Sequence, residues 1–160
     1  MPLGVGLIAS LGALRSDASD WHNRLRKPKY NPPHWALMPT FALIYTLEGI
    51  AAYLVSNEMM LAHRTPEDVA ARAGQLGLGF YWLHLTFLII WPALLASGTS
   101  LKLALANITV AMLFLLAAMV EFFRLTVGGG MLMLLCFFAV STLTAWNAAL
   151  IQTRGGLLPV

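Results

Sequence analysis

The sequence predicts an all-α integral membrane protein, a five-transmembrane-helix bundle, and three observations carry that prediction. Of 160 residues, 59% are hydrophobic and 11% charged, against roughly 25% charged in a soluble domain. Ten basic and seven acidic residues are too few to coat a water-facing surface of this size. Four apolar stretches reach the about 20 residues a helix needs to cross the hydrocarbon core. Polar residues and prolines gather in the short segments between them.

Taken in order, residues 1–160 form one membrane domain with helices near 2–20, 36–56, 66–97, 101–125 and 131–152. The first is the shortest. Residues 2–14 reach only about 20 Å, so a crossing of about 30 Å needs Arg15 to snorkel and residues 16–20 to prolong the helix. This segment lacks the charged front of a secretory signal and is read as retained. Residues 21–35 form a proline-containing loop. Thr65-Pro66-Glu67-Asp68 is a helix-start signature, with a cap, a first-turn proline and two carboxylates at the positive helix end. Ser97–Ser100 reads as a tight turn, and Gly128-Gly129-Gly130 as a break between the last two helices. No heptad array or low-complexity tract stands out.

Seven basic residues (Arg15, Arg24, Arg26, Lys27, Lys29, Lys102, Arg154) fall on the side of the first loop and three (Arg64, Arg72, Arg124) on the other. The positive-inside rule therefore places the first loop and the C-terminus in the cytosol. The same clustering accounts for the net charge of +3 without nucleic acid as a partner. Cys136 is the sole cysteine, so neither an internal disulfide nor a cysteine cage for metal can form. No phosphate-binding glycine motif, Ser–His–Asp set, paired carboxylates or H-E-x-x-H is present, and four scattered histidines make no metal site. No catalytic residues are assigned.

The run Trp21-His22-Asn23-Arg24-Leu25-Arg26-Lys27-Pro28-Lys29-Tyr30-Asn31-Pro32-Pro33-His34-Trp35 resembles the first loop of the translocator protein family. That family is also known as tryptophan-rich sensory proteins or peripheral benzodiazepine receptors. Pro39, Tyr45, Gly49, Ala51, Tyr53, Leu54 and Val55 agree in register downstream, as do Tyr81, Trp91, Pro92, Thr144 and Asn147. The resemblance implies five helices around a pocket that takes tetrapyrroles (protoporphyrin or haem), sterols or benzodiazepine-type ligands, with no cofactor required. It also implies a homodimer in the bilayer, in the mitochondrial outer membrane of a eukaryote or the cytoplasmic membrane of a bacterium. The prolines stiffen residues 21–35, and Tyr30 and Trp35 add flat apolar faces, so the segment can serve as a pocket lid. On spacing alone, the same residues describe an interfacial aromatic belt with basic anchors better than a pocket. The resemblance favours the pocket.

Inside the apolar runs, polar residues need partners. Glu48 sits mid-helix, where a charge costs about 2.5–3.5 kcal/mol, and its expected partner is His84 at similar depth. Relatives carry an apolar or thioether residue and a glutamine at these two positions, so the pair is a linked departure, either an interhelical tie or a pH-sensitive ligand contact. Glu121 and Arg124, three apart, are expected to pair on one face. Asn107 reads as interhelical glue; Asn147 as glue or ligand contact. Trp91-Pro92 predicts a kink that could shape a cavity. Gly49 with Ala51 and Ala52 permits close helix approach within the bundle or between protomers.

These residues yield a ligand wall of Tyr30, Trp35, Tyr45, Glu48, His84, Trp91, Thr144 and Asn147 in a receptor- or transporter-like protein. Two alternatives compete: a light-dependent porphyrin-degrading enzyme and a ligand-free interaction scaffold. The enzyme is disfavoured, because the tryptophans that the family associates with that activity are Tyr30 and Ala139 here. Leu88, Leu103 and Leu135-Cys136 likewise replace an asparagine, a tryptophan and a Pro-Tyr pair of the family pattern.

Overall fold

A computed structural model describes residues 34–62, 69–96 and 100–155 of the chain. It contains four helices: α1 (His34–Ala62), α2 (Val69–Ala96), α3 (Leu101–Leu125) and α4 (Val127–Gly155). The predicted first helix, most of the lid and the Thr65–Asp68 helix start lie outside the described residues. Each of the four helices is long and apolar enough to cross a membrane, over Pro39–Leu61, Arg72–Leu95, Leu101–Leu125 and Val127–Thr153.

Two predicted boundaries need correction. The α1 helix begins at His34, so His34 and Trp35 belong to it rather than to the loop, and it runs to Ala62 instead of stopping near 56. The polar residues Ser56, Asn57 and Glu58 looked like a loop, but no glycine or proline lies between Gly49 and Pro66 to end the helix. The glycine triplet is not a break either, since it lies inside α4. Thr126 alone separates the two helices, with extended backbone (φ −149°, ψ 126°) and its N–H bonded to the Phe122 carbonyl. A Cβ on Gly130 would run into the Phe123 ring, and one on Gly129 would lie 2.9 Å from Thr126 Cγ2. These glycines let the α3–α4 hairpin close tightly. At the other end, Ser100 caps α3 by accepting from the Leu103 N–H at 3.2 Å.

The interior has one geometric rule. Buried positions on α3 are Leu101, Ala104, Ile108, Ala111, Leu115, Ala118 and Phe122, alternating steps of three and four. Leu37, Phe41, Ile44, Glu48, Ala51 and Val55 repeat the pattern on α1; Tyr81, His84, Leu88, Trp91 and Leu95 on α2; Met133, Cys136, Val140, Leu143, Asn147 and Leu150 on α4. That 3.5-residue period belongs to left-handed bundles with interlocking side chains. It went unseen in the sequence because the outward faces are apolar too, as Leu43, Ile50, Leu83, Ile90, Leu113 and Phe138 show. Hydroxyls in the spans are silenced locally: Thr40, Thr46, Thr86, Thr109, Ser141, Thr142 and Thr144 each donate to the carbonyl four residues earlier.

The helices pack in the sequence α2, α3, α4, α1, with α2 against α3 the most extensive contact and α1 against α2 a light one. Alanine at 104, 111 and 118 keeps α3 thin along its buried face. A Cβ on Gly77 would meet Phe122 Cδ1 at 2.9 Å, so α2 also needs a small residue where it approaches α3. Asn107 Nδ2 donates to the Phe87 carbonyl at 2.8 Å, tying α3 to α2 beside the turn where Pro92 supplies no N–H. Gly49 behaves differently from the expectation of close packing inside the bundle, for an added Cβ there meets nothing within 4 Å.

Candidate functional site

Two polar clusters occupy the interior, stacked along the bundle. The first lies toward the end from which α1 starts and where α2 finishes. Trp91, only 1% exposed, has its ring 6.0 Å from Phe41 and 6.3 Å from Trp146, the latter edge-on at 69°. Phe41 in turn stacks on Tyr45 at 6.1 Å. Offset and edge-on arrangements of this kind are the favourable ones for aromatic quadrupoles. Asn147 joins the rings to the backbone. Its side-chain oxygen, oriented by the donors around it, accepts from Trp91 Nε1 at 3.0 Å and from the Leu105 N–H at 3.2 Å. One amide thus links α2, α3 and α4.

The second cluster sits at mid-depth. His84 Nδ1 donates to the Ala111 carbonyl at 2.8 Å, and Nε2 meets Glu48 Oε1 at 2.8 Å. Both side chains are 0% exposed, so the contact spans α1, α2 and α3 without solvent. The pairing expected between Glu48 and His84 is therefore present. Cys136 points its thiol at the Ile44 carbonyl, 3.8 Å away, from α4. Three buried atoms of this region have no hydrogen-bond partner among the described residues: Glu48 Oε2, Tyr45 Oη and Tyr81 Oη.

Of the eight residues expected to form a ligand wall, six are described with their side chains. Tyr45, Trp91 and Asn147 come together in the first cluster, and Glu48 with His84 in the second. Thr144 spends its hydroxyl on the Val140 carbonyl of its own helix. Tyr30 and the Trp35 side chain lie outside the described residues. Asn147 and the Glu48–His84 pair also tie helices together, which is the tie reading offered for each. Sequence reasoning missed Phe41, Trp146 and Tyr81 as members of these clusters. Phe41 lies one turn before Tyr45, so helical spacing puts the two on one face, whereas Trp146 adjoins Asn147 about 100° away around the helix and carries no such signal. The Glu121–Arg124 pair is formed near the far end of α3, at 2.9 Å, with Arg124 largely exposed.

A profile of the TspO/MBR family matches residues 1–152. The chain belongs to the TspO/MBR family. Its relatives in that family include a tryptophan-rich sensory protein of Cereibacter sphaeroides, 31% identical over 127 residues, covering 79% of this chain and 72% of the relative. The translocator protein of Sus scrofa is 30% identical over 92 residues, 53% of this chain and 54% of its own length. A tryptophan-rich protein TspO of Archaeoglobus fulgidus is 33% identical over 86 residues, again 53% and 54%. The matched region thus spans about half the length of the pig and archaeal relatives. Family membership and four membrane-length helices make this an integral membrane protein. Leu88 is fully buried, Leu103 lies on the outer surface and Ala139 is half-buried.

Proposed function

We propose that this protein is a receptor- or transporter-like membrane protein that binds a flat lipophilic ligand beneath residues 21–35. The tetrapyrrole class, protoporphyrin or haem, is the preferred ligand; sterols and benzodiazepine-type compounds are its competitors. The observation that carries the reading is the first cluster, where the Trp91 ring stands between Phe41 and Trp146 with its N–H held by Asn147. Flat rings in a fixed arrangement at one end of an apolar bundle favour a flat apolar guest through stacking and area burial together. Tyr45 and Thr144 extend this wall, Glu48 and His84 form its floor, and Tyr30 and Trp35 close it from above.

In this reading residues 2–20 are a fifth crossing. The first loop and the C-terminus face the cytosol, from a mitochondrial outer membrane or a bacterial cytoplasmic membrane, and two copies associate as a homodimer. The ligand is cargo or signal, and no resident cofactor is required. Binding is preferred to light-driven porphyrin breakdown because Ala139 offers no ring for electron exchange and Tyr30 stands alone. Titrating protoporphyrin into the full chain in lipid nanodiscs tests the proposal. Saturable quenching of tryptophan fluorescence is expected, weakened about tenfold by Trp91→Ala or Trp35→Ala, the equivalent of losing one good ring contact. Unsaturable quenching, or affinity indifferent to both substitutions, would overturn it and favour a scaffold role.

A further inference from the structure

The His84 ring leaves little freedom in where its protons sit. The Ala111 oxygen can only accept, so Nδ1, 2.8 Å away, carries a hydrogen. Nε2 then faces Glu48 Oε1 at 2.8 Å. Two bare lone pairs repel at that separation, so a proton occupies the contact, on nitrogen or on oxygen. In both cases the pair is neutral overall, the form that the middle of a membrane tolerates.

Loss of that proton to bulk water leaves a carboxylate opposite a nitrogen lone pair, and the bond across the α1–α2 seam is gone. The carboxylate then needs new donors, and two are waiting. Tyr45 stands one turn from Glu48 on α1, and Tyr81 one turn from His84 on α2. Both are buried, neither hydroxyl has a partner among the described residues, and both are within electrostatic reach of the Glu48 carboxyl. From α4 the only titratable neighbour described is Cys136, held by the Ile44 carbonyl. The α3 helix contributes the Ala111 carbonyl and, among its buried residues, no titratable side chain.

We propose that Glu48 and His84 form a proton-binding site in the middle of the membrane, exchanging one proton with bulk water, and that the Tyr45 and Tyr81 hydroxyls take the Glu48 carboxylate once that proton has left. Only an O–H or N–H bond is broken, and water accepts the proton. The site works with a proton alone, so its test stands apart from any lipophilic ligand.

The experiment is infrared difference spectroscopy of the full chain in nanodiscs between about pH 5 and pH 10, a window holding the ordinary imidazole range and the base side of carboxyls. One reversible signal combining carboxyl and imidazole bands is expected, absent in Glu48→Gln and in His84→Gln. The double variant Tyr45→Phe/Tyr81→Phe keeps the whole Glu48–His84–Ala111 arrangement and loses two hydroxyls that bond to nothing described, so its fold is preserved. In that variant the deprotonated state loses its donors, and the proton is expected to bind about tenfold tighter, one pH unit. Absence of the signal in the folded protein, or a midpoint that the phenol replacements leave in place, would overturn the proposal.

Discussion

Breaking the mid-membrane tie from one side should be far more harmful than removing it whole. In His84→Leu the Glu48 carboxyl, 0% exposed, loses the partner of Oε1, while Oε2 already has none among the described residues and any new bond must come from rearrangement of its neighbours. An unsatisfied buried polar group costs about 1–3 kcal/mol. Hydrogen bonds between membrane helices are themselves weak, averaging about 0.6 kcal/mol, because a polar side chain finds other partners when helices separate. The stranded carboxyl therefore sets the scale, and about 2–3 kcal/mol is expected for the single variant. Glu48→Met with His84→Leu leaves nothing polar behind except a helical carbonyl that keeps its own bond, so the double variant should fall within about 1 kcal/mol of the parent. Reversible unfolding in mixed micelles, followed by circular dichroism for the parent, two single variants and the double, gives the coupling directly. If the double variant loses the sum of the single losses, the two residues are not joined as described.

Glycine packing gives a cleaner contrast. Gly77→Ala pushes a methyl group against Phe122 and the Glu121 Cβ and should cost about 1–3 kcal/mol in the same unfolding assay, whereas Gly49→Ala, facing open space, should be neutral. Asn147→Leu strands the Trp91 indole N–H; a loss of about 1–3 kcal/mol with a red-to-blue change in tryptophan emission is expected, and an unchanged spectrum would contradict the bond. Arg124→Ala removes an exposed partner of Glu121 and should change stability by less than about 0.5 kcal/mol, any larger loss pointing to a contact beyond that pair.

Composition and span length are properties of whole segments, so the membrane-crossing helices could be read directly from the chain. The Glu48–His84 contact was equally legible, because charges are so scarce in these apolar runs that two at one depth select each other. Other features depend on which side of a helix faces inward. With Leu, Ile and Phe on every side, the seven-residue pattern of buried positions carries no contrast in hydropathy, and only packing reveals it. Gly128, Gly129 and Gly130 were misjudged for a related reason: a rule learned in water treats glycine as a breaker, while between membrane helices it is a means of contact. Trp146 and Phe41 gave no polar signal, and their place beside Trp91 emerges only when three helices are assembled.

The alternation of buried residues along α3 also limits how this chain can vary in length. Inserting a single residue before Ala111 would swing every later side chain of that helix about 100° around its axis. Ile108 would hold its place while Ala111, Leu115 and Ala118 turned toward lipid, and the imidazole of His84 would lose its carbonyl. Seven added or deleted together restore the original facing, nearly two full revolutions later. Variation by units of that size can lengthen the bundle for a thicker bilayer; smaller increments scramble it.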